Sequence, residues 1–513
     1  MPDWTYHPLS PLAGALLGVS RSRRLALRVL SAITAAPGGR ALVGLMLGRF
    51  RPPEGVRVGA VVPVGHARDA LRALPVLGAS VVGIGPVVLD DVPRLRAALE
   101  VSRGEVVIRT ADREVAAEFP LPARVVAAAD PDLVHVDDPS VEKAAEALAA
   151  QDVTVMATTG VLAAAGPAWF RRVLEAATPT GPPQRWRDVP RDPRLWPSWV
   201  WGVLMGLGMI CAALVAAVIT LGPVLLWYDR HYLGLTRQGL DHIDHNLVHF
   251  LQHDRLTMAG TMLSIGILYT GLAWGGIRRG WLWARDAYLV SGAVGFPTLF
   301  YFLSTGFVEP LHTAATVVLF PLFLLTVRRS PTAPRWSVRP DGSETLRRRA
   351  LTGQLLMIVT GFGLLGGGIV VSIVGLSGVF VPTDLEFLGT DAARLQAANA
   401  HLIPFVAHDR AGFGGALISA AVAVILLSAW GWRRGESWVW WTLLLAAVAG
   451  FGPTLVIHFR IHYTDLSHLA PVYLGVVLTA IALTLARPYL CDTRDMRLSR
   501  TRDEPRAKAG QYN

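Results

Sequence analysis

The chain has 513 residues, of which 52% are hydrophobic and 17% charged, and its formal net charge is +10 at pH 7. This apolar content exceeds what a single soluble core needs, so the composition argues against a purely soluble protein. The two cysteines, Cys211 and Cys491, exclude a disulfide framework and a cysteine-based metal site.

Residues 1–50 are predicted to form amphipathic helices that associate with a membrane surface. The segment 9–50 contains apolar runs interrupted by arginines, as in VSRSRRLALRVL. Such a pattern predicts two helices, each with an arginine-rich face and an apolar face. Helices of this kind lie in the headgroup region of a bilayer.

Residues 51–180 are predicted to form an α/β head. Short apolar strand candidates occupy 57–62, 80–88, 105–110, 124–129, 132–136 and 153–158, and helices are expected near 67–75, 91–101, 140–151 and 167–177. Strands that alternate with helices favour a parallel sheet.

Several segments of residues 5–178 occur in the order found in one enzyme family. They are the N-terminal helical pair, VRVGAVVPVGHARDALRALPVLGASVVGIGPV at 56–87, DLVHVDDPS at 132–140 and TGVLAAAGPAWFRRVLEAA at 159–177. In this order they resemble the quinone-linked (class 2) dihydroorotate dehydrogenases. The resemblance implies an FMN-dependent (β/α)8 barrel, which is a TIM barrel, with a two-helix membrane lid that admits quinone.

The resemblance also assigns residues, and the chain departs from it in part. Thr159 and Gly160 match a backbone contact to the FMN phosphate, and Asp138 stands where the family has its catalytic serine base. The loop lysine of the family is absent from 63–66, and 56–178 is about half the ~250 residues of a full barrel. The head is therefore expected to be a partial, degenerate TIM barrel without dihydroorotate chemistry, and residual FMN binding is an alternative.

Residues 198–487 are predicted to form an all-α polytopic membrane domain of eight transmembrane helices. The spans are 198–227, 256–275, 286–305, 311–327, 352–380, 411–431, 438–457 and 467–486. Arginines concentrate in alternate connections, including the basic linkers 181–197 and 331–351. This bias predicts a multi-pass cell-membrane protein with both termini in the cytoplasm. It also makes the lipid bilayer, rather than nucleic acid, the expected partner of the positive charge. The polar tail 488–513 is predicted to be disordered.

The membrane domain contains an internal repeat at an offset of 155 residues. His253-Asp254-Arg255 recurs as His408-Asp409-Arg410, and RRG at 278–280 recurs at 433–435. The register predicts two parallel four-helix repeats, at 198–330 and 352–487. Such repeats are related by a pseudo-two-fold axis along the membrane normal.

Histidines and acids gather at one end of the predicted spans. The candidate metal ligands are His249, His253, His312, His408, His468, Asp254 and Asp409. These side chains could cap helices at headgroup level. Alternatively, they could hold a divalent metal, since imidazoles with carboxylates suit zinc, copper or iron, or they could form a haem or quinone site.

Three function classes follow from the sequence. The first is a membrane protein with a non-catalytic head and an extracytoplasmic metal or ligand site. The second is an FMN-dependent oxidoreductase that passes electrons to quinone. The third is a transporter, because the repeated acids Asp254, Asp409, Glu309 and Asp465 could line a pathway. The sequence leaves the oligomeric state open.

Overall fold

The computed structural model describes residues 2–102, 104–119, 124–126, 130–150, 153–300, 306–336 and 342–492. An N-terminal α/β head is followed by a long helical domain, as the sequence predicts. The part of the tail beyond residue 492, which is predicted to be disordered, lies outside the described residues.

The strands of the head form one parallel sheet. They are β1 Arg57–Val62, β2 Val81–Ile84, β3 Glu105–Arg109, β4 Arg124–Val126, β5 Leu133–Val136 and β6 Thr154–Ala157. The strand order is β4-β3-β2-β1-β6-β5. Ala60 in β1 is paired with Val82 on one side and Ala157 on the other.

This strand order is that of an open half-barrel. Strands β1 to β4 are neighbours in chain order, and so are β5 and β6. Strand β1 also lies beside β6, which is the pairing that closes a barrel. Among the described residues β4 and β5 form the two edges of the sheet, so the barrel is open between them. Both faces are buried, with Val58, Ala60 and Val155 on one face and Val81, Val107 and Met156 on the other, as expected for a parallel sheet.

Helices cover the sheet and precede it. They are α1 Asp3–Leu17, α2 Val19–Ala35, α3 Gly39–Leu47, α4 Ala67–Ala73, α5 Val92–Leu99, α6 Arg113–Ala117, α7 Val141–Ala150, α8 Thr159–Ala165 and α9 Trp169–Ala177. Two helices are predicted before the sheet, whereas the structure has three. Helices α2 and α3 meet at 117°. Leu12, Leu16 and Leu45 on α1 and α3 are more than half exposed, which gives this layer an apolar surface suited to a bilayer.

The second domain is entirely helical where it is described. Its helices are α10 Ser198–Leu221, α11 Trp227–Leu233, α12 Arg237–Ile243, α13 His245–Gly271, α14 Leu282–Thr298, α15 Pro310–Val327, α16 Glu344–Leu376, α17 Pro382–Leu388, α18 Ala392–Ala398, α19 Leu402–Gly431, α20 Ser437–Arg460 and α21 Leu466–Leu490. Among the described residues, seven of these helices are long and apolar enough to cross a membrane, and the bent pair α2 and α3 of the head would be an eighth candidate if it is one span. The third predicted span corresponds to α14, whose described helix has 17 residues.

Backbone details recur at the offset seen in the sequence. Val224 and Val379 both have a left-handed backbone, with φ of 63° and 64°. Five residues after each of these valines, an aspartate accepts a hydrogen bond from the backbone N–H three positions before it, at 2.9 Å for Asp229 and 2.7 Å for Asp384. A left-handed valine is uncommon, so its recurrence 155 residues later marks two similar turns.

Buried ion pairs join the head to the helical domain. Arg433, after α19, forms a two-pronged contact with Glu175 of α9 at 2.6 and 2.7 Å. Arg171 contacts the same carboxylate at 2.8 Å. Arg347 of α16 is 2 % exposed and reaches Asp3 at 2.9 Å. The head therefore contacts the end of the domain at which α19 ends and α16 begins.

Replacing Glu175 with glutamine is expected to loosen this contact. The variant leaves Arg433 and Arg171 without their shared counter-charge, a loss of about 3–5 kcal/mol for a buried pair. Burial acts to raise the pKa of Glu175, but Arg433 and Arg171 outweigh it and lower the pKa. This stability is therefore present above the unfolded pKa of about 4.3 and is lost as the pH falls through the lower folded value.

Limited proteolysis between the head and α10 in detergent, followed over pH, measures this contact. The matched control is Arg49→Gln, because Arg49 is 51% exposed in its pair with Asp286 and pairs with an exposed member contribute little. Equal protease sensitivity of the two variants would contradict the assignment.

Candidate metal centre

The two repeated triplets lie inside long helices. Helix α13 begins at His245 and α19 at Leu402, not at the predicted starts of 256 and 411. His253 is 5% exposed and His408 1% exposed. The interpretation of the triplets as caps at headgroup level is therefore wrong, and Asp244 caps α13 instead.

The arginine of each triplet pairs with the aspartate of the other. Arg255 Nε lies 2.7 Å from Asp409 Oδ2, and Arg410 Nε lies 3.0 Å from Asp254 Oδ2. The surroundings of the two arginines also match: each Nη1 donates at 2.7 Å to a carbonyl, of Val224 or Val379, and each guanidinium lies over a phenylalanine ring, Phe405 or Phe250. The charge that makes each triplet costly in a membrane is thus neutralised by the other triplet.

The aspartates of the triplets lie behind the histidines and orient them. His253 Nδ1 is 2.9 Å from Asp254 Oδ1, and His408 Nδ1 is 3.1 Å from Asp409 Oδ1. A carboxylate paired with an arginine accepts hydrogen bonds only, so each Nδ1 carries the proton and each Nε2 presents a lone pair. Asp254 and Asp409, predicted as metal ligands, instead take the position of the carboxylate in a carboxylate–histidine–metal triad.

Three histidines from three helices meet at the end of the domain away from the head. His253 of α13, His458 of α20 and His468 of α21 have ligand atoms within 4.8 Å of one another, and we call them the three-histidine cluster. His458 Nδ1 donates to the Thr454 carbonyl at 2.6 Å, so its Nε2 also presents a lone pair. The Nε2 atoms of His253 and His458 are only 2.9 Å apart.

This separation is that of a hydrogen bond between the two rings, and it also brings two ligand atoms close enough to share one cation. Two imidazole lone pairs at 2.9 Å repel each other unless a metal ion or a proton lies between them. Two nitrogens that share one tetrahedral zinc ion, each about 2.0–2.1 Å from it, lie roughly 3.3 Å apart, so a shift of the rings by a few tenths of an ångström would accommodate the ion. Three histidines with a fourth position open are a ligand set of catalytic zinc sites.

A second group lies at the same end. Glu309, His312 and His408 also have ligand atoms within 4.8 Å, and we call them the Glu-His-His cluster. Tyr228 donates to Glu309 Oε1 at 2.9 Å. Burial acts to raise the pKa of Glu309, but the neighbouring His312 outweighs it and lowers the pKa to about 2, so the carboxylate is ionised. Two histidines with one carboxylate form another common metal-binding set.

The other predicted ligands lie elsewhere. His249 belongs to neither cluster, and its ring packs 5.9 Å from that of His245. Asp465 is exposed, and its side chain caps α21. Glu309 was not among the predicted ligands, although it had a signal in its register with Asp465. His458 was a further candidate expected in the last outer loop, and it lies instead in α20. The repeat gave no signal for His458, because the position 155 residues earlier is a leucine.

The residues that the head resemblance assigns lie in two places. Thr159 and Gly160 line a cavity of about 430 Å³ under α2, at the carboxyl ends of β1 and β6, and Arg23 and Arg24 also line it. Asp138 is not among the described lining residues. It is solvent-exposed at its carboxylate, and a hydrogen bond from Lys143 lowers its pKa, whereas a general base needs a pKa near the working pH.

Comparison of the chain with known protein families, with curated proteins and with solved structures finds no match. The resemblance of the head to dihydroorotate dehydrogenases therefore stays a prediction. The two clusters include three buried histidines, His253, His408 and His458, and their other members are partly buried. They are consequently the strongest functional feature of the described residues.

Proposed function

We propose that this protein is a multi-pass cell-membrane protein that binds transition-metal ions at the three-histidine and Glu-His-His clusters. The observation that carries the proposal is the convergence of ligand atoms of His253, His458 and His468 within 4.8 Å of one another, with Nδ1 of His253 and of His458 engaged as a donor. Zinc, copper and iron suit these ligands. The degenerate dihydroorotate-dehydrogenase-like head has a structural or regulatory role in this proposal.

The proposal includes a duplicated membrane module. The sequence register, the matching turns at Val224 and Val379 and the crossed ion pairs all recur at an offset of 155 residues. Two parallel repeats about a pseudo-two-fold axis would bring the paired triplets together at that axis. Each cluster then takes its triplet histidine from one repeat and its remaining ligands from the other: His253 joins His458 and His468, and His408 joins Glu309 and His312.

In the proposed orientation the clusters lie toward the extracytoplasmic face of the membrane. The head contacts the arginine-rich end of the helical domain through Arg347 and Arg433. Excess arginine marks the cytoplasmic side, so the head and both termini are cytoplasmic. His253 and His468 lie near the starts of helices that run toward the head, which places the metal sites toward the extracytoplasmic face.

Elemental analysis of the purified chain tests the metal proposal. Wild type is expected to retain up to two metal ions per chain, and a His253→Ala/His408→Ala variant is expected to retain none, because each substitution removes one ligand and its link to the aspartate. His249→Ala is the matched control and is expected to retain wild-type metal. Equal metal content in the double variant and wild type would refute the proposal.

A second candidate function resides in the head. The cavity beside Thr159 and Gly160 has the volume of a small-molecule site, about 430 Å³. It favours an FMN-dependent oxidoreductase that passes electrons to quinone, as the resemblance implies. Purified protein with a flavin absorbance spectrum, lost in a Gly160→Val variant, would support this candidate. A colourless preparation that takes up no added FMN would refute it.

A further inference from the structure

Four methionines line one cavity in the membrane domain. Met205 and Met209 are one turn apart on α10, and Met258 and Met262 are one turn apart on α13. Side chains at i and i+4 share a helix face, so both pairs line the same cavity of about 70 Å³. These four are among only nine methionines in the chain. His312 of the Glu-His-His cluster lines the same cavity.

A twin cavity shows that packing alone does not require methionine here. It has a volume of about 120 Å³, and many of its lining residues are the counterparts, at the offset of 155 residues, of residues that line the first cavity. Gly295, Phe296 and Ser419 line the cavity with the methionines. Their counterparts at the offset of 155 residues, Gly450, Phe451 and Ser264, line the twin cavity. At the positions of the four methionines the twin cavity has Thr360, Leu364, Phe413 and Leu417. The methionines therefore distinguish one cavity from the other.

The chemistry of the lining selects a soft, weakly hydrated cation. Methionine often fills irregular gaps in cores, but the twin cavity fills the same positions with leucine, phenylalanine and threonine. Thioethers are neutral, soft ligands that favour monovalent copper over zinc or magnesium. His312 adds an imidazole, and through the Glu-His-His cluster it adds a nearby carboxylate, Glu309.

We propose that the methionine cavity, formed by Met205, Met209, Met258 and Met262 with His312 at one end, binds monovalent copper. His312 lines the cavity and also belongs to the Glu-His-His cluster, so the copper site and that cluster are adjacent. The inference deepens the proposed function, on which it rests, by naming copper as a metal that this end of the membrane domain receives. The thioethers and His312 supply the ligands, and the ion keeps its oxidation state.

Competition with a chromogenic Cu(I) chelator tests the copper site. The full chain in detergent, first stripped of metal, is titrated with Cu(I) under anaerobic reducing conditions. Wild type is expected to withhold one Cu(I) per chain from the chelator. Met258→Leu/Met262→Leu is expected to lower the affinity at least ~10-fold, and the four-methionine variant to abolish retention, while leucine keeps the cavity volume. Met357→Leu is the matched control, because Met357 lines the twin cavity.

Two outcomes overturn the copper proposal. One is wild type that withholds no Cu(I), and the other is a four-methionine variant with wild-type Cu(I) affinity. Gel filtration and a melting curve show that each variant is folded, and the two-methionine variant replaces the four-methionine variant if the latter is not. X-ray absorption of the wild-type complex is expected to show copper–sulfur scattering that the control keeps.

Zinc content measured on the same preparations separates this proposal from the metal-cluster proposal. Zinc that is lost in the His253→Ala/His408→Ala variant, together with no Cu(I) retention in wild type, refutes only the copper site. Methionine-dependent Cu(I) retention, together with no zinc, copper or iron in wild type as purified, refutes metal binding at the clusters and leaves the copper site standing.

Discussion

Metal affinity at the three-histidine cluster is expected to fall roughly 10- to 100-fold when Arg410 is replaced by glutamine, a loss typical of residues that orient ligands. Arg410 is not one of the three ligands. It holds Asp254 at 3.0 Å, and Asp254 in turn holds His253 Nδ1 at 2.9 Å. Glutamine removes the charge that fixes the carboxylate, so the His253 ring loses both its orientation and part of its basicity.

The crossed ion pairs provide a matched control for this measurement. In a His408→Ala background only the three-histidine cluster remains, and zinc titration by calorimetry reports on it alone. There Arg410→Gln is expected to weaken binding, whereas Arg255→Gln is expected to leave it unchanged, because Arg255 contacts Asp409. In a His253→Ala background the effects are expected to exchange. Equal losses from both arginine variants in one background would contradict the crossed arrangement.

Replacing Arg255 with methionine is expected to cost about 3–5 kcal/mol of stability, since it strands buried carboxylates. Asp409 lies 2.7 Å and Asp229 3.4 Å from this guanidinium, and both are almost fully buried. Denaturant unfolding in detergent micelles measures the loss. Arg394→Met is the matched control at the same end of the domain, because Arg394 and its partner Asp391 are both exposed and such pairs contribute about 0–1 kcal/mol.

A double-mutant cycle checks that the cost comes from the ion pair. Asp409→Asn added to Arg255→Met removes one of the stranded charges. The double variant is therefore expected to lose less free energy of unfolding than the two single variants lose together. Additive losses for the two substitutions would mean that Arg255 stabilises the helices by packing alone.

Local patterns predicted the elements of both domains well. Strand candidates such as 57–62 and 153–158 lie within one residue of β1 and β6, because short apolar runs between helices carry a clear signal. The membrane helices were predicted too short at the triplets. Hydropathy is a local property of the sequence, so it places the edge of a span at His253 to Arg255. It does not include the compensating charge of a residue about 155 positions away.

Contacts between distant segments could not be predicted from one sequence. The register of the repeats indicated that His312 and His468 belong at the same end, but His458 has no counterpart and joined its cluster only through the packing of α20 on α13. The methionine pairs on α10 and α13 are visible in the sequence. That they face one another, and that His312 adjoins them, depends on how α10, α13 and α15 pack.

The exchange of arginines between the two triplets has a consequence for the ancestry of the chain. In a homodimer with a two-fold axis, residue i of the first subunit contacts residue j of the second, and residue j of the first contacts residue i of the second. Arg255 with Asp409 and Arg410 with Asp254 obey this rule within one polypeptide. Under the proposed duplication, a four-helix ancestor that paired with a second copy of itself would have neutralised the buried aspartate of each triplet in the same way. Fusion of the two copies would then have freed the halves to diverge, as they do at the four methionines.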